Sequence, residues 1–395
     1  MKQRTFFLVL FLLGISAASA TIRVVDGVGA SGSGRFAKIS DAVTTAVTND
    51  TIVVLPGIYR EVDVSIDKKL TVLGSGYRDV KNGGTHLQGF NLGIADAADG
   101  TRIQGFRFIG GGVVFGTTTD NCLIANNYFS NAQVYFGSGH TGDTIRNNIF
   151  VMTSAVSAIT TVYNGAFTNI VIANNIFSGS GQAAGINAFY IRIAPANMNN
   201  VQIINNFIEK YYYFYGNDWA HQSGMIIAGN IFHKITTISP YASAALLYSG
   251  NWKLNLTVGI AEPTGGTDNG NGDITSLFTR FDQGFDFKDN PSTDTDFRLK
   301  SSTTPYPDSP IDGSAPAIAP LGSWYVDFLQ QPGTSNSNRA DGGIFGGPYP
   351  FGSSYGAPLL PAVSNLSVSP AVTAPNGTIQ INATGSVIGY PGRNN

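Results

Sequence analysis

The chain has 395 residues, with 23 Lys and Arg against 25 Asp and Glu, a net charge of -2 and only 12% charged residues. That near-neutral balance offers no basic stripe for displacing phosphate counterions, so nucleic acid is not an expected partner. A hydrophobic share of 43% excludes a disordered chain, and 48 glycines fall far short of the one residue in three that a collagen repeat needs.

The first segment reads as an address. Lys2 and Arg4 form a basic start, residues 6–13 an apolar stretch, and Ala18-Ser19-Ala20 a small-residue exit. This is the pattern of a secretory signal peptide (residues 1–20) cut after Ala20. The apolar run is shorter than the roughly 20 residues a membrane span needs, and no later segment is long and apolar enough. The mature chain is therefore expected to be secreted or surface-exposed, without a membrane span and monomeric. Cys122, the single cysteine, can form no internal disulfide and is expected to be a buried, inert thiol.

Next, Ala42 and Ala46 lie four apart in a short helical pattern closed by Asn49-Asp50. The runs TIVVLPGIYRE (51–61) and KKLTVLGSGY (68–77) are β-rich and broken at Pro56-Gly57. A helix followed by strands suits the N-terminal cap of a repetitive fold, whose end would otherwise be an open edge.

The repeat itself follows. IQGFRF (103–108), IANNYF (124–129), IRNNIF (145–150), IANNIF (172–177), IINNFI (203–208) and IAGNIF (227–232) align without gaps. Ile opens every copy, Gly or Asn stands third, and Phe or Ile closes it. Three residues before each Ile comes Gly100, Asn121, Gly142, Asn169, Asn200 or Gly224. Gly and Asn are the residues that enter left-handed φ/ψ most cheaply. A step of 21 residues between the first copies suits three short strands and their turns, one coil of a parallel β-solenoid. Ile and Phe columns should stack inward, and the paired Asn should mark a turn whose amides ladder from coil to coil. Helix fails as an alternative, because Gly and Asn at the centre of the unit are poor helix formers. On this register Ile172 points inward and Ala173 outward.

Beyond about residue 255 the repeat fades into Gly/Asn/Ser-rich and Pro-punctuated stretches with irregular coils. PAVSNLSVSPAVTAPNGTIQINATG alternates apolar and polar residues around Asn376-Gly377, as an antiparallel hairpin does. The expected organisation is a signal peptide (1–20), a β-solenoid (21–355, regular over about 68–255 and irregular to about 350) and a hairpin tail (356–395), too short for a core of its own.

The run from Asp41 to Tyr77, together with the Ile-x-Asn-Asn-x-Phe coils, resembles right-handed parallel β-helix proteins of the pectin-lyase-like superfamily. FRLKSSTTPYPDSPIDGSAP (297–316) and ADGGIFGG (340–347) resemble the ending common in secreted bacterial members, often of Bacteroidota. The resemblance implies an all-β, right-handed parallel β-helix with an N-terminal helical cap, and an extracellular polysaccharide as partner. It does not choose among lyases, hydrolases, esterases and non-catalytic adhesive or structural members.

The residues narrow this little. Calcium is the cofactor a lyase of this kind would use, but it wants six to eight clustered oxygens and no clear ligand cluster appears. Asp120 and Asp143 lie on adjacent coils at different offsets from their Asn pairs and read as turn residues capping backbone amides. Neither the paired carboxylates of a hydrolase nor a zinc spacing is present. His86 and His140 read as surface or turn residues, and Ile58-Tyr59-Arg60-Glu61 as part of the first coil. The densest cluster is EKYYYFYGNDWAHQSG (209–224). There Tyr211, Tyr213, Asp218 and Trp219 are candidate sugar-binding residues, with the bland alternative that the rings are core. Lys210 or Lys234 would be the base of a lyase and His221 the alternate. A lyase is the simplest enzyme for so sparse a charge inventory, since it needs one base and one neutralising group. The competing reading is a non-catalytic structural or adhesive solenoid.

Overall fold

Left-handed corners set the architecture. The computed structural model describes residues 20–27, 34–77, 80–154, 157–161, 165–179, 189–190, 198–209, 225–233, 247–249, 252–254, 271–272, 361–369 and 380–387. In it Asn126, Asn147, Asn174 and Asn205 have φ between 53° and 55°, and Gly105 and Gly229 take the same corner at 81° and 62°. A second corner falls at Gly100, Asn121, Gly142, Asn169 and Asn200, and a third at Gly89, Gly110 and Asn131, all with positive φ. Most L-residues would lose about 1–2 kcal/mol at each such position, which is why the repeat confines them to Gly and Asn.

Between corners the chain has room only for strands of about three or four residues, and each pairs in parallel with its equivalent one coil away. The first sheet runs from Arg35–Phe36 and Ile22–Val25 through Leu123–Ala125 to Leu247–Ser249. The second runs from Gly57–Tyr59 to Asn271–Gly272, and the third from Val64–Ile66 to Phe189–Tyr190. A short fourth sheet joins Gly139–Thr141, Ala166–Thr168 and Met198–Asn199. The molecule is an all-β parallel β-helix, as the repeat implied. The C-terminal strands Pro361–Ser369 and Gln380–Val387 pair antiparallel, as expected of a hairpin.

The columns stack as the alignment placed them. Ile103, Ile124, Ile145, Ile172, Ile203 and Ile227 pair one to one in the first sheet. Phe108, Phe129, Phe150 and Phe177 stack face to face, with centroids 4.8, 4.6 and 4.9 Å apart. That spacing is the inter-strand distance of the sheet, so ring stacking and backbone pairing reinforce one register. The second Asn of each pair builds a buried ladder. The Asn148 side-chain oxygen accepts from the Asn127 backbone N–H at 3.0 Å and from its Nδ2 at 3.1 Å, and Asn175 and Asn206 repeat this. Phe106 occupies the ladder position before Asn127 and donates its backbone N–H to it at 3.0 Å.

The cap helix, Ile39–Thr45, buries Ile39, Ala42 and Val43, but its N-cap Lys38 makes no side-chain cap. Glu61 supplies the cap, accepting the Ile39 and Ser40 N–H groups at 2.8 and 3.1 Å, while the Tyr59 hydroxyl donates to the Leu55 carbonyl at 3.0 Å. The Ile58-Tyr59-Arg60-Glu61 motif is thus a clamp between first coil and cap. Residues 1–19, the expected signal peptide, lie outside the described residues.

Candidate functional site

Strand alternation gives each sheet an inner and an outer face, and the outer faces are where a ligand can meet this fold. Ser65, Gly93, Val114, Tyr135 and Thr160 form one outer column of the third sheet, and Asn91, Gly112 and Gln133 another. Their inward neighbours Leu92, Val113, Val134 and Ile159 are fully buried. Ser65 is exposed, and Asn91, Gln133, Tyr135 and Thr160 are half-buried. This face is a half-exposed strip, set in register by the sheet, on which the Tyr135 ring is flanked by amides and a hydroxyl. Asp63 stands at its N-terminal end and accepts the Asn91 N–H at 2.8 Å and Nδ2 at 3.1 Å. Those bonds hold its carboxyl below the usual range. The strip therefore carries hydrogen-bonding groups but, among the described residues, no Lys, Arg or His to act as a base.

The corner between the first and second sheets is different. His86, Arg107, Tyr128, Ile149, Ile176 and Phe207 make one outer column, and Gln104, Ala125, Arg146, Ala173, Ile204 and Ala228 the other. Arg107 lies over the Tyr128 ring, 4.9 Å from its centroid, and Arg146 donates to the Asn147 side-chain oxygen at 2.8 Å. The cations of this corner are already engaged, and beyond Arg146 it is apolar and buried. Ala173, expected outside, does face outward but is 0% exposed. His86 is 6% exposed, so the surface position expected for it is corrected too.

A third cluster is internal. His140, expected at a surface or turn, is 2% exposed, because its strand turns the ring inward in register with Phe167. Its Nδ1 lies 2.7 Å from the Thr119 carbonyl and 3.1 Å from Asp143 Oδ2. The carbonyl can only accept, so Nδ1 carries the proton. The ring packs among Phe115, Phe136 and Phe167, and Nε2 makes no hydrogen bond. Burial pushes the Asp143 carboxyl up against the opposing bonds from His140 and the Cys122 N–H. Asp143 and Asp120 do cap backbone amides one coil away, those of Cys122 and Thr141, both at 2.7 Å. Cys122 is buried as expected, and burial pushes its thiol up to about 12. Cys122, His140 and Asp143 are all buried, and the cluster's geometry serves packing.

Lys210, Tyr211, Tyr213, Asp218, Trp219, His221 and Lys234 all lie outside the described residues. Lys210 and Lys234 directly follow the strands Phe207–Glu209 and Ile231–His233, which pair Glu209 with His233. Among the described residues no group of three His, Cys, Asp or Glu side chains could hold a metal ion, and no helix is long and apolar enough to cross a membrane. Tyr135 and Gln133 were missed in the sequence because only the Ile and Phe columns were followed. Carrying the same register past the closing Phe129 finds them, four and six residues on, either side of the inward Val134.

An all-parallel stack of coils with one half-exposed polar face and one covered corner defines the class, a parallel β-helix. No family model matches the sequence, and no curated protein matches it. Among solved structures, the chain is similar to pectate lyase Pel9A at 12% identity, covering 82% of this chain and 96% of that one with a TM-score of 0.35. It is also similar to the receptor-binding protein of bacteriophage Det7, a podoviral tailspike, at 11% identity, covering 64% and 73% with a TM-score of 0.23.

Proposed function

We propose that this is an exported β-solenoid that binds an extracellular polysaccharide along the outer face of its third sheet. The observation that carries the reading is the half-exposed strip of Asn91, Gln133, Tyr135 and Thr160, set in register on a rigid sheet while the neighbouring corner is covered. A ring with flanking amides suits a sugar face and its hydroxyls. Affinity electrophoresis against neutral and acidic polysaccharides tests this. Tyr135→Ala should weaken retention more than tenfold with little change in melting temperature, and unchanged retention would reject the strip as the site.

A second reading, cleavage by a lyase, rests on the two lysines that follow paired strand ends. Lys210 or Lys234 would then be the base, with His221 the alternate, and Tyr211, Tyr213, Asp218 and Trp219 would hold the sugar. Absorbance of unsaturated product from acidic polysaccharides, with and without calcium, separates the two. Product that disappears in Lys210→Ala or Lys234→Ala supports the lyase, and no product under any condition leaves the binding protein.

A further inference from the structure

Charge is sorted around the coils. Over residues 88–151 the Lys and Arg residues are Arg102, Arg107 and Arg146, and all lie on strands of the first and second sheets. The Asp and Glu residues are Asp96, Asp99, Asp120 and Asp143, and all fall in the connections that lead from the third sheet back to the first. The third-sheet strands of these coils, Asn91–Ile94, Gly112–Phe115 and Gln133–Phe136, carry no charge, nor do the corners at Gly89, Gly110 and Asn131 that enter them. Asp143 is buried against His140, whereas Asp96 and Asp99 are exposed and Asp120 half-buried. Backbone bonds fix these three in place. Asp96 accepts the Thr117 and Thr118 N–H groups, Asp99 that of Asp120 at 2.9 Å, and Asp120 that of Thr141 at 2.7 Å. The coil before is balanced, with Arg60, Lys68 and Lys69 against Glu61, Asp63 and Asp67. Lys68 there is turned into the cap, donating to the Val43 and Ala46 carbonyls at 3.3 and 3.2 Å.

Resting on the third-sheet strip as the binding face, we infer that its ligand is an uncharged polysaccharide and that the carboxylate border turns polyanionic glycans away. Asp96 stands two residues beyond Ile94, so chain reach keeps it within about 7 Å of the strand end. That is inside the screening length of about 8 Å at physiological ionic strength. Asp99 and Asp120 lie five residues beyond Ile94 and Phe115, and Asp63 marks the strip's other end. A polyuronate on the strip brings a carboxylate with every sugar to a border that, over these coils, holds carboxylates and no cation. Like charges brought together without a counter-charge reject a ligand even where its shape fits. The strip's own groups suit hydroxyls instead. Asn91, Gln133, Tyr135 and Thr160 both donate and accept, so a neutral sugar can bond them without burying a charge.

The test compares polymers that share a backbone and differ in charge, in affinity electrophoresis of the full chain. The pairs are hydroxyethylcellulose with carboxymethylcellulose, and methyl-esterified with de-esterified polygalacturonate. At low salt the neutral member of at least one pair should be retained more than tenfold better than its anionic partner, and added salt should narrow that gap. A triple variant, Asp96→Asn with Asp99→Asn and Asp120→Asn, keeps a side-chain oxygen for every capped N–H. It should raise retention on the anionic member severalfold and leave the neutral member unchanged. Anionic retention equal to or above the neutral, with or without calcium, overturns the inference, as does a triple variant of native melting temperature that leaves the ratio unaltered. If that anionic retention is lost in Tyr135→Ala, the strip stands as the site and only its specificity was misread. Retention of no polymer, or retention indifferent to Tyr135→Ala, rejects the strip and this inference with it.

Discussion

Asn148→Ala removes one rung from the middle of the buried amide ladder, and the consequences can be counted. The Asn148 side chain donates to the Ile124 carbonyl at 2.9 Å and to Asn175 Oδ1 at 3.1 Å, and accepts from the Asn127 N–H and Nδ2 at 3.0 and 3.1 Å. After truncation Asn127 Nδ2 keeps the Ile103 carbonyl, and Asn175 Oδ1 keeps the Asn148 backbone N–H. The Asn127 backbone N–H has no replacement and lies where water does not reach. An orphaned buried donor costs about 1–3 kcal/mol, and the remaining lost bonds about 1 kcal/mol each. The expected loss is about 4–6 kcal/mol. Asn126→Gly, one coil away, is the control: φ is 55° there, and the coil before it carries Gly105 at the same corner. Its side-chain Nδ2 makes a long bond, 3.5 Å, to Gln104 Oε1, so the substitution should change stability by no more than about 1 kcal/mol. Urea unfolding followed by circular dichroism measures both. If Asn148→Ala lies within 1 kcal/mol of wild type, or the two variants lose equally, the ladder is not what holds this corner.

Three further outcomes follow from buried groups. Asp143 is raised in the folded state, so the stability it contributes is complete below the unfolded carboxylate value of about 3.9 and is lost as pH rises through the folded value. Asp143→Asn should flatten that part of the stability–pH curve, and an unchanged slope in the variant counts against the buried pair. Cys122, with its thiol pushed up to about 12, should react with a thiol reagent only at the rate of unfolding. Fast labelling of the native protein would place it elsewhere. Ile172→Asp and Ala173→Asp should both cost several kcal/mol, because one enters the core column and the other the covered corner. A silent Ala173→Asp in a melting experiment would mean the corner is open.

Local chemistry made the coil legible in the sequence. Gly and Asn recur where the backbone must turn left-handed, and Ile and Phe recur where a side chain must stack on its own kind, so six aligned copies fixed corner, strand and inward face together. The ladder was legible for the same reason, since an amide that bonds its counterpart demands Asn in each coil from Asn127 onward. Which outer faces are open was not legible. Ala173 reads as exposed by alternation, and His140 reads as a turn residue, yet both are buried by parts of the chain remote in sequence. Periodicity reports which way a side chain points. Only the packed chain decides what lies over it, and so which surface is left for a ligand.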